Sequence, residues 1–116
     1  MDESPGVPEL GLRALRDELS SSDPSERAAA LSRARLEPGV EEVLIEALRD
    51  SDERVRRESV RTLARLGTAG GRLALIEVSS SDISPAVRAE AVAALGRILE
   101  SLRPRPAPGG DPGEEG

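Results

Sequence analysis

The stretch DSDERVRRESVRTLARLG, residues 50 to 67, holds one arginine where an apolar residue is expected. Wound as a helix at about 100° per residue, Val55, Ser59, Val60, Leu63 and Leu66 form one face, and Arg56 sits among them. Arginine is almost never fully buried without a partner, so either Arg56 is held by a specific acid or this face is not a core face.

The same pattern recurs along the chain. Sliding the sequence by 32 residues places Asp50 on Asp82, Val55 on Val87, Arg56 on Arg88, Ser59 on Ala91, Val60 on Val92, Leu63 on Leu95 and Leu66 on Ile98. A fainter copy lies 29 residues upstream, where Asp23, Arg27, Ala30 and Leu31 fall on Asp52, Arg56, Ser59 and Val60. Three units of about 30 residues follow, which is the signature of a repeat architecture.

Each unit reads as a pair of helices. The first helices are predicted over 8–19, 40–49 and 72–79, with apolar positions at Leu12, Leu15 and Leu19, then Leu44, Ile45 and Leu48, then Leu73, Ile76 and Val78. The second helices are predicted over 24–36, 53–66 and 85–102. Pro24 and Pro85 fall at first-turn positions, where a missing N–H costs nothing, and Asp23 and Ser84 are natural caps. Gly39, Gly67 and the Gly70-Gly71 pair are expected to end helices or turn corners, which makes the first helix of the third unit the shortest.

The run Asp52-Glu53-Arg54-Val55-Arg56-Arg57-Glu58-Ser59-Val60-Arg61-Thr62-Leu63 is echoed by residues 87–96. It resembles HEAT repeats, in particular the short bacterial subtype also called the phycobilisome-lyase HEAT-like repeat. The resemblance covers about residues 9 to 102. It implies an all-α fold, a short right-handed α-solenoid of armadillo/HEAT-like type with about three helical-hairpin repeats. It also implies an answer to the opening puzzle: a turn aspartate and an inner-face arginine form a ladder of charge-assisted hydrogen bonds between successive units. The matching positions are Asp23 with Arg27, Asp52 with Arg56, and Asp82 with Arg88, although Asp82 precedes its arginine by six residues instead of four. Scaffolds, adaptors and regulatory subunits all use such repeats, so the resemblance speaks to architecture more than to activity.

Composition removes most chemistry. The 116 residues carry a net charge of −6, no Phe, Tyr or Trp, and no Cys, His, Lys, Asn or Gln; all 16 basic residues are arginine. No thiolate, imidazole or amine is present to act as nucleophile, base or Schiff-base former, so no catalytic residue, cofactor or metal site is assigned. The carboxylate clusters are Glu41-Glu42, Glu114-Glu115 and Asp50 with Asp52 and Glu53, and a short stack offers a curved surface rather than a cleft to hold two of them across a substrate. The iron-binding hydroxylases of this repeat type need His-Glu pairs, and the bilin-lyase name of the subtype finds no supporting residues here. No stretch approaches the length of a membrane span, and the expectation is a bacterial cytoplasmic protein.

One further feature stands apart from the repeat framework. Arg54, Arg57, Arg61 and Arg65 recur at i, i+3, i+7 and i+11, within an arc of roughly 80° opposite the apolar face. This basic stripe is the expected patch for an acidic protein partner, since guanidinium forks grip carboxylates in bidentate fashion. The competing reading is a solvated face, with Glu58 paired to Arg54 and to Arg61. Nucleic acid is disfavoured as a partner by the negative net charge and the lack of any aromatic side chain to stack on a base. The expected function is a non-catalytic interaction or scaffold module. The alternative is a subunit that self-associates as a homodimer through Leu73, Ile76 and Val78 or around Ile98 and Leu102.

The domain is expected to span 9–102, in units of about 9–38, 39–69 and 70–102, between a disordered lead-in over 1–8 and a disordered tail over 103–116, RPRPAPGGDPGEEG. Three units are close to the minimum for independent stability, and alanines replace larger residues in the second helix of the first. Local opening is therefore expected to begin in residues 1–36, with 41–66 holding longest.

Overall fold

Six helices make up the described part of the chain, residues 8–104 of a computed structural model: α1 Leu12–Leu19, α2 Pro24–Ser32, α3 Val40–Ala47, α4 Glu53–Leu66, α5 Ala69–Ser81 and α6 Pro85–Leu102. They pair as three hairpins, α1 with α2, α3 with α4 and α5 with α6, and the second helices lie side by side with α4 packed between α2 and α6. The result is an all-α, solenoid-like stack. The expected lead-in and tail lie outside the described residues, apart from Pro8, Arg103 and Pro104.

Local chemistry sets where the second helices start. Asp23 accepts the Ser25 N–H at 2.9 Å, Asp52 the Arg54 N–H at 2.8 Å, and Ser84 the Val87 N–H at 3.2 Å, each satisfying an orphan donor of the first turn. Pro24 and Pro85 occupy those first turns. At the other end of α4, Gly67 takes a φ of 68°, a left-handed conformation that side chains resist.

The core is aliphatic and built around α4. Leu15, Leu31, Leu44, Val55, Val60, Leu63, Leu75 and Val87 are all fully buried. Two polar residues of α4 join them, and each has its partner. The Ser59 hydroxyl donates to the Leu44 carbonyl of α3, and the Thr62 hydroxyl donates to the Leu31 carbonyl of α2 at 3.0 Å. A buried hydroxyl without such an acceptor would cost about 1–3 kcal/mol, so these positions tie α4 to the preceding hairpin and its own.

Several boundaries differ from the sequence reading. Helix α1 starts at Leu12 and α2 stops at Ser32, because residues 9–11 run extended beside 33–35: the Leu10 N–H donates to the Arg33 carbonyl at 2.7 Å, and the Arg35 N–H to the Leu10 carbonyl at 3.0 Å. The N-cap of α1 is Gly11, which has no side chain to give; Glu37 supplies the cap instead, its carboxylate accepting the Leu12 N–H at 2.7 Å. Helix α3 ends at Ala47.

The largest correction concerns Gly70-Gly71. The pair lies within the first turn of α5, which at 13 residues is the longest of the first helices, not the shortest. Thr68 caps α5 at 3.0 Å, and Glu41 of α3 accepts the same Gly71 N–H at 3.1 Å. A Cβ at Gly70 would sit 2.7 Å from Glu41 Oε2, and one at Gly71 would sit 3.1 Å from the Leu63 side chain. Close approach of α5 to α3 and α4 thus overrides a helix-propensity cost of about 1 kcal/mol per glycine.

Because α4 touches every hairpin, its amides should exchange most slowly with solvent. Hydrogen-exchange mass spectrometry is expected to show residues 55–63 as the most protected and 12–19 as the least; faster exchange in 55–63 would contradict this ordering.

Candidate interaction surface

Arg56 is buried, 7% exposed, and its charge is fully employed. Its Nε and Nη2 grip the Asp82 carboxylate at 2.9 and 3.2 Å, across to the next hairpin, while Nη1 donates to the Asp50 carbonyl at 2.9 Å. Arg27 repeats the arrangement one unit earlier: Nε and Nη2 each lie 2.9 Å from Asp50, and Nη1 donates to the Ser21 carbonyl at 2.9 Å. Each fork therefore takes the acid of the following unit and a carbonyl six residues upstream in its own.

None of the three expected acid–arginine pairs forms: Arg27 and Arg56 hold acids other than Asp23 and Asp52, and Arg88 reaches only the backbone carbonyl of Asp82. Asp50 and Asp82 take the forks, whereas Asp23 and Asp52 serve as N-caps. The reason is geometric. Asp50 and Asp82 close the preceding turn by also accepting the N–H two residues on, from Asp52 and Ser84 at 2.9 Å, which aims the carboxylate at the neighbouring hairpin. The irregular six-residue spacing of Asp82 and Arg88 is thus the regular one, shared by Asp50 and Arg56. Burial pushes the Asp50 carboxyl up, but the Arg27 fork and the Asp52 N–H outweigh it and hold it below the usual aspartate range.

The stripe of four arginines lies on the outward side of the second-helix layer, and all four side chains reach internal partners. Arg54 folds back on Asp52 at 3.0 Å and touches the Ser25 hydroxyl of α2 at 3.2 Å, so the Glu58–Arg54 pair expected from spacing gives way to the N-cap acid. Arg57 and Arg61 share Glu90 of α6 at 3.7 and 3.3 Å, and Arg61 also meets Glu58 at 3.5 Å. Arg65 donates to the Ser32 and Ala34 carbonyls at 3.2 and 3.1 Å, capping the C-terminus of α2. The stripe therefore stitches α4 to both neighbours while keeping Arg54 and Arg61 59% and 47% exposed.

Comparison with protein families agrees with this ladder of hairpins: the profile of HEAT repeats matches residues 12–96, well over half of the chain. The chain belongs to the HEAT-repeat family. Proteins of this family commonly serve as protein-interaction scaffolds. A search of curated proteins found no match.

The HEAT-repeat stack adds two arginines that sequence reasoning passed over. Arg72 of α5 and Arg97 of α6 meet Arg61 and Arg65 around a groove of about 430 Å³, with Ile98 and Leu102 among its lining. Arg97 is the 32-residue echo of Arg65, so the repeat itself carries the signal for it. Of the expected carboxylate clusters, Asp50 holds Arg27, Asp52 caps its helix and Glu41 caps α5, while Glu114-Glu115 lie outside the described residues. Among the described residues no acidic group gathers three potential metal ligands, and no helix is long and apolar enough to cross a membrane.

Two measurements test the ladder. Arg56→Gln leaves Asp82 buried without its partner and should cost about 3 kcal/mol or more in urea unfolding, while Arg54→Gln on the exposed edge should leave the midpoint nearly unchanged. Asp50 is held ionised in the fold, so as pH falls the unfolded chain takes up its proton first. The stability Asp50 contributes is present above about pH 4 and lost below it as the pH falls through the depressed native value. Stability of Asp50→Asn should accordingly fall less steeply than that of the wild type as pH drops from about 5 to 3.

Proposed function

We propose that this HEAT-repeat chain is a non-catalytic interaction module that presents its second-helix layer, centred on α4, to an acidic protein partner. One observation carries the reading: four guanidinium groups, from Arg61, Arg65, Arg72 and Arg97, converge on one groove of a chain whose net charge is −6. Arg72 has only the Gly67 carbonyl, at 3.3 Å, and Arg97 has no hydrogen bond to a described residue, so both keep donors for a ligand. Apolar Ile98 and Leu102 beside them suit a helical or extended segment that alternates acids with aliphatic side chains. Arg54 and Arg57, the far half of the stripe, form the rim of the same surface. A nucleic acid fits less well, because no aromatic side chain exists to stack on a base.

Self-association is the second reading, favoured by the exposed Leu73, Ile76 and Leu102 of the third hairpin; Val78 and Ile98, expected on the same surfaces, belong instead to the buried core. The two are separated by capture from native lysate with wild type and with the double variant Arg72→Ser/Arg97→Ser, which removes almost no internal hydrogen bonding. With helical circular dichroism unchanged, the variant is expected to lose the proteins the wild type enriches. Equal capture by both would overturn the groove as the binding surface.

A further inference from the structure

The last rung of the ladder has no acid. Arg88 stands on α6 where Arg56 stands on α4, and its Nη1 donates to the Asp82 carbonyl at 2.7 Å, just as Arg56 Nη1 donates to Asp50. Its Nε and Nη2, the donors that in Arg27 and Arg56 grip the next hairpin, meet no carboxylate among the described residues. The residues that follow keep the same register. Val60 and Leu63 are 0% and 1% exposed on α4, where the third hairpin covers them. Their echoes on α6 are Val92, 58% exposed, and Leu95, half-buried, with Leu99 one turn beyond Leu95 at 68%. Of the seven large hydrophobic side chains exposed among the described residues, six belong to this third hairpin and its turn.

The opposite end of the stack is finished. Buried Val55 and Thr62 of α4 correspond, 29 residues earlier, to Glu26 on α2 and Arg33 at its C-cap, and the ladder position equivalent to Asp50 is Ser21. Ser21 still accepts the Asp23 N–H at 3.0 Å, as Asp50 accepts that of Asp52, but it carries one oxygen where a fork needs two. Solenoid ends stay soluble and single by presenting polar outer faces, and only the N-terminal end of this stack does so.

We infer that the C-terminal face of α5 and α6 docks an α-helical hairpin of a second, different protein, stacked as a fourth unit. An acid in the turn of that hairpin takes the Arg88 fork, and its apolar side covers Val92, Leu95 and Leu99. The other occupants fit worse. A second copy stacked head to tail would bring Ser21 and a polar face. Two copies meeting by their C-terminal faces would bring together two Arg88 side chains, with each Asp82 already held by Arg56 and each Glu90 by Arg57 and Arg61. Residues 103–116 carry acids, but nothing apolar larger than proline to cover Val92 and Leu99. This face is separate from the arginine groove and does not depend on it.

The probe is a synthetic hairpin with the sequence 68–102 of this chain, which carries Asp82 in its turn and already docks on such a face within the fold; Val92→Ser and Leu99→Ser blunt its own outer side, and a covalent cross-link between its two helices, checked by helical circular dichroism, holds it folded without neighbours. It is labelled and titrated with the full chain, read by anisotropy. Saturable binding is expected, weakened at least about tenfold by Arg88→Gln in the chain, by Asp82→Asn in the probe, and by Val92→Glu in the chain. No binding up to about 1 mM would overturn the inference, as would equal affinity for wild type and Arg88→Gln. Sedimentation equilibrium of the full chain must show a monomer; a dimer dissociated by Val92→Glu would mean that a second copy covers the face, and would overturn it equally.

Discussion

The guanidinium fork that reaches from one hairpin to the acid of the next is the interaction on which this stack depends. An aliphatic core without a single aromatic ring packs through many small contacts, and such contacts tolerate sliding of one helix over another. Arg56 on Asp82 does not, because two parallel hydrogen bonds between planar groups are satisfied in one register only. A buried ion pair adds little net stability once its desolvation is counted, so the role that remains is selection of register. The second helices can then pack with small side chains and still meet in one arrangement.

The same side chain solves a second problem in the second-helix layer. Helix C-termini leave carbonyls without partners, and arginine and hydroxyl side chains are the only side-chain donors here to satisfy them. Arg65 and Thr62 of α4 serve the end of α2, while the third donor group of each ladder arginine serves a carbonyl at the end of the hairpin's own first helix or its turn. Glu37 and Glu41 do the converse work at the N-termini of α1 and α5, from 25 and 30 residues away. At these ends capping is a tertiary matter, beside the local caps of Asp23, Asp52, Thr68 and Ser84.

That division explains what could be read from the sequence. The 3.6-residue spacing of Val55, Ser59, Leu63 and Leu66 and its echo 32 residues on sufficed for six helices in three pairs, because both are properties of single helices. The Asp-Arg pairing came out wrong at all three rungs: Asp23 and Asp52 have the spacing of a cap, the Asp82 carboxylate serves Arg56 and not Arg88, and which carboxylate crosses to the neighbour depends on the turn that aims Asp50 and Asp82. Gly70-Gly71 read as a break for a similar reason, since only the approach of Glu41 and Leu63 reveals why a helix would open on two glycines. The stripe was visible as a face of α4, but Arg72 and Arg97 join Arg61 and Arg65 only when α5 and α6 are laid beside it.

No side-chain hydrogen bond among the described residues spans more than 33 positions in the sequence, and the two forks span 23 and 26. The chain therefore closes no long loops, and loop-closure entropy, which slows folds rich in distant contacts, is small at every step. During synthesis each hairpin can be locked as soon as the acid of the next one leaves the ribosome. Folding should advance in step with elongation, one rung at a time, with no more than about one unit waiting unpartnered.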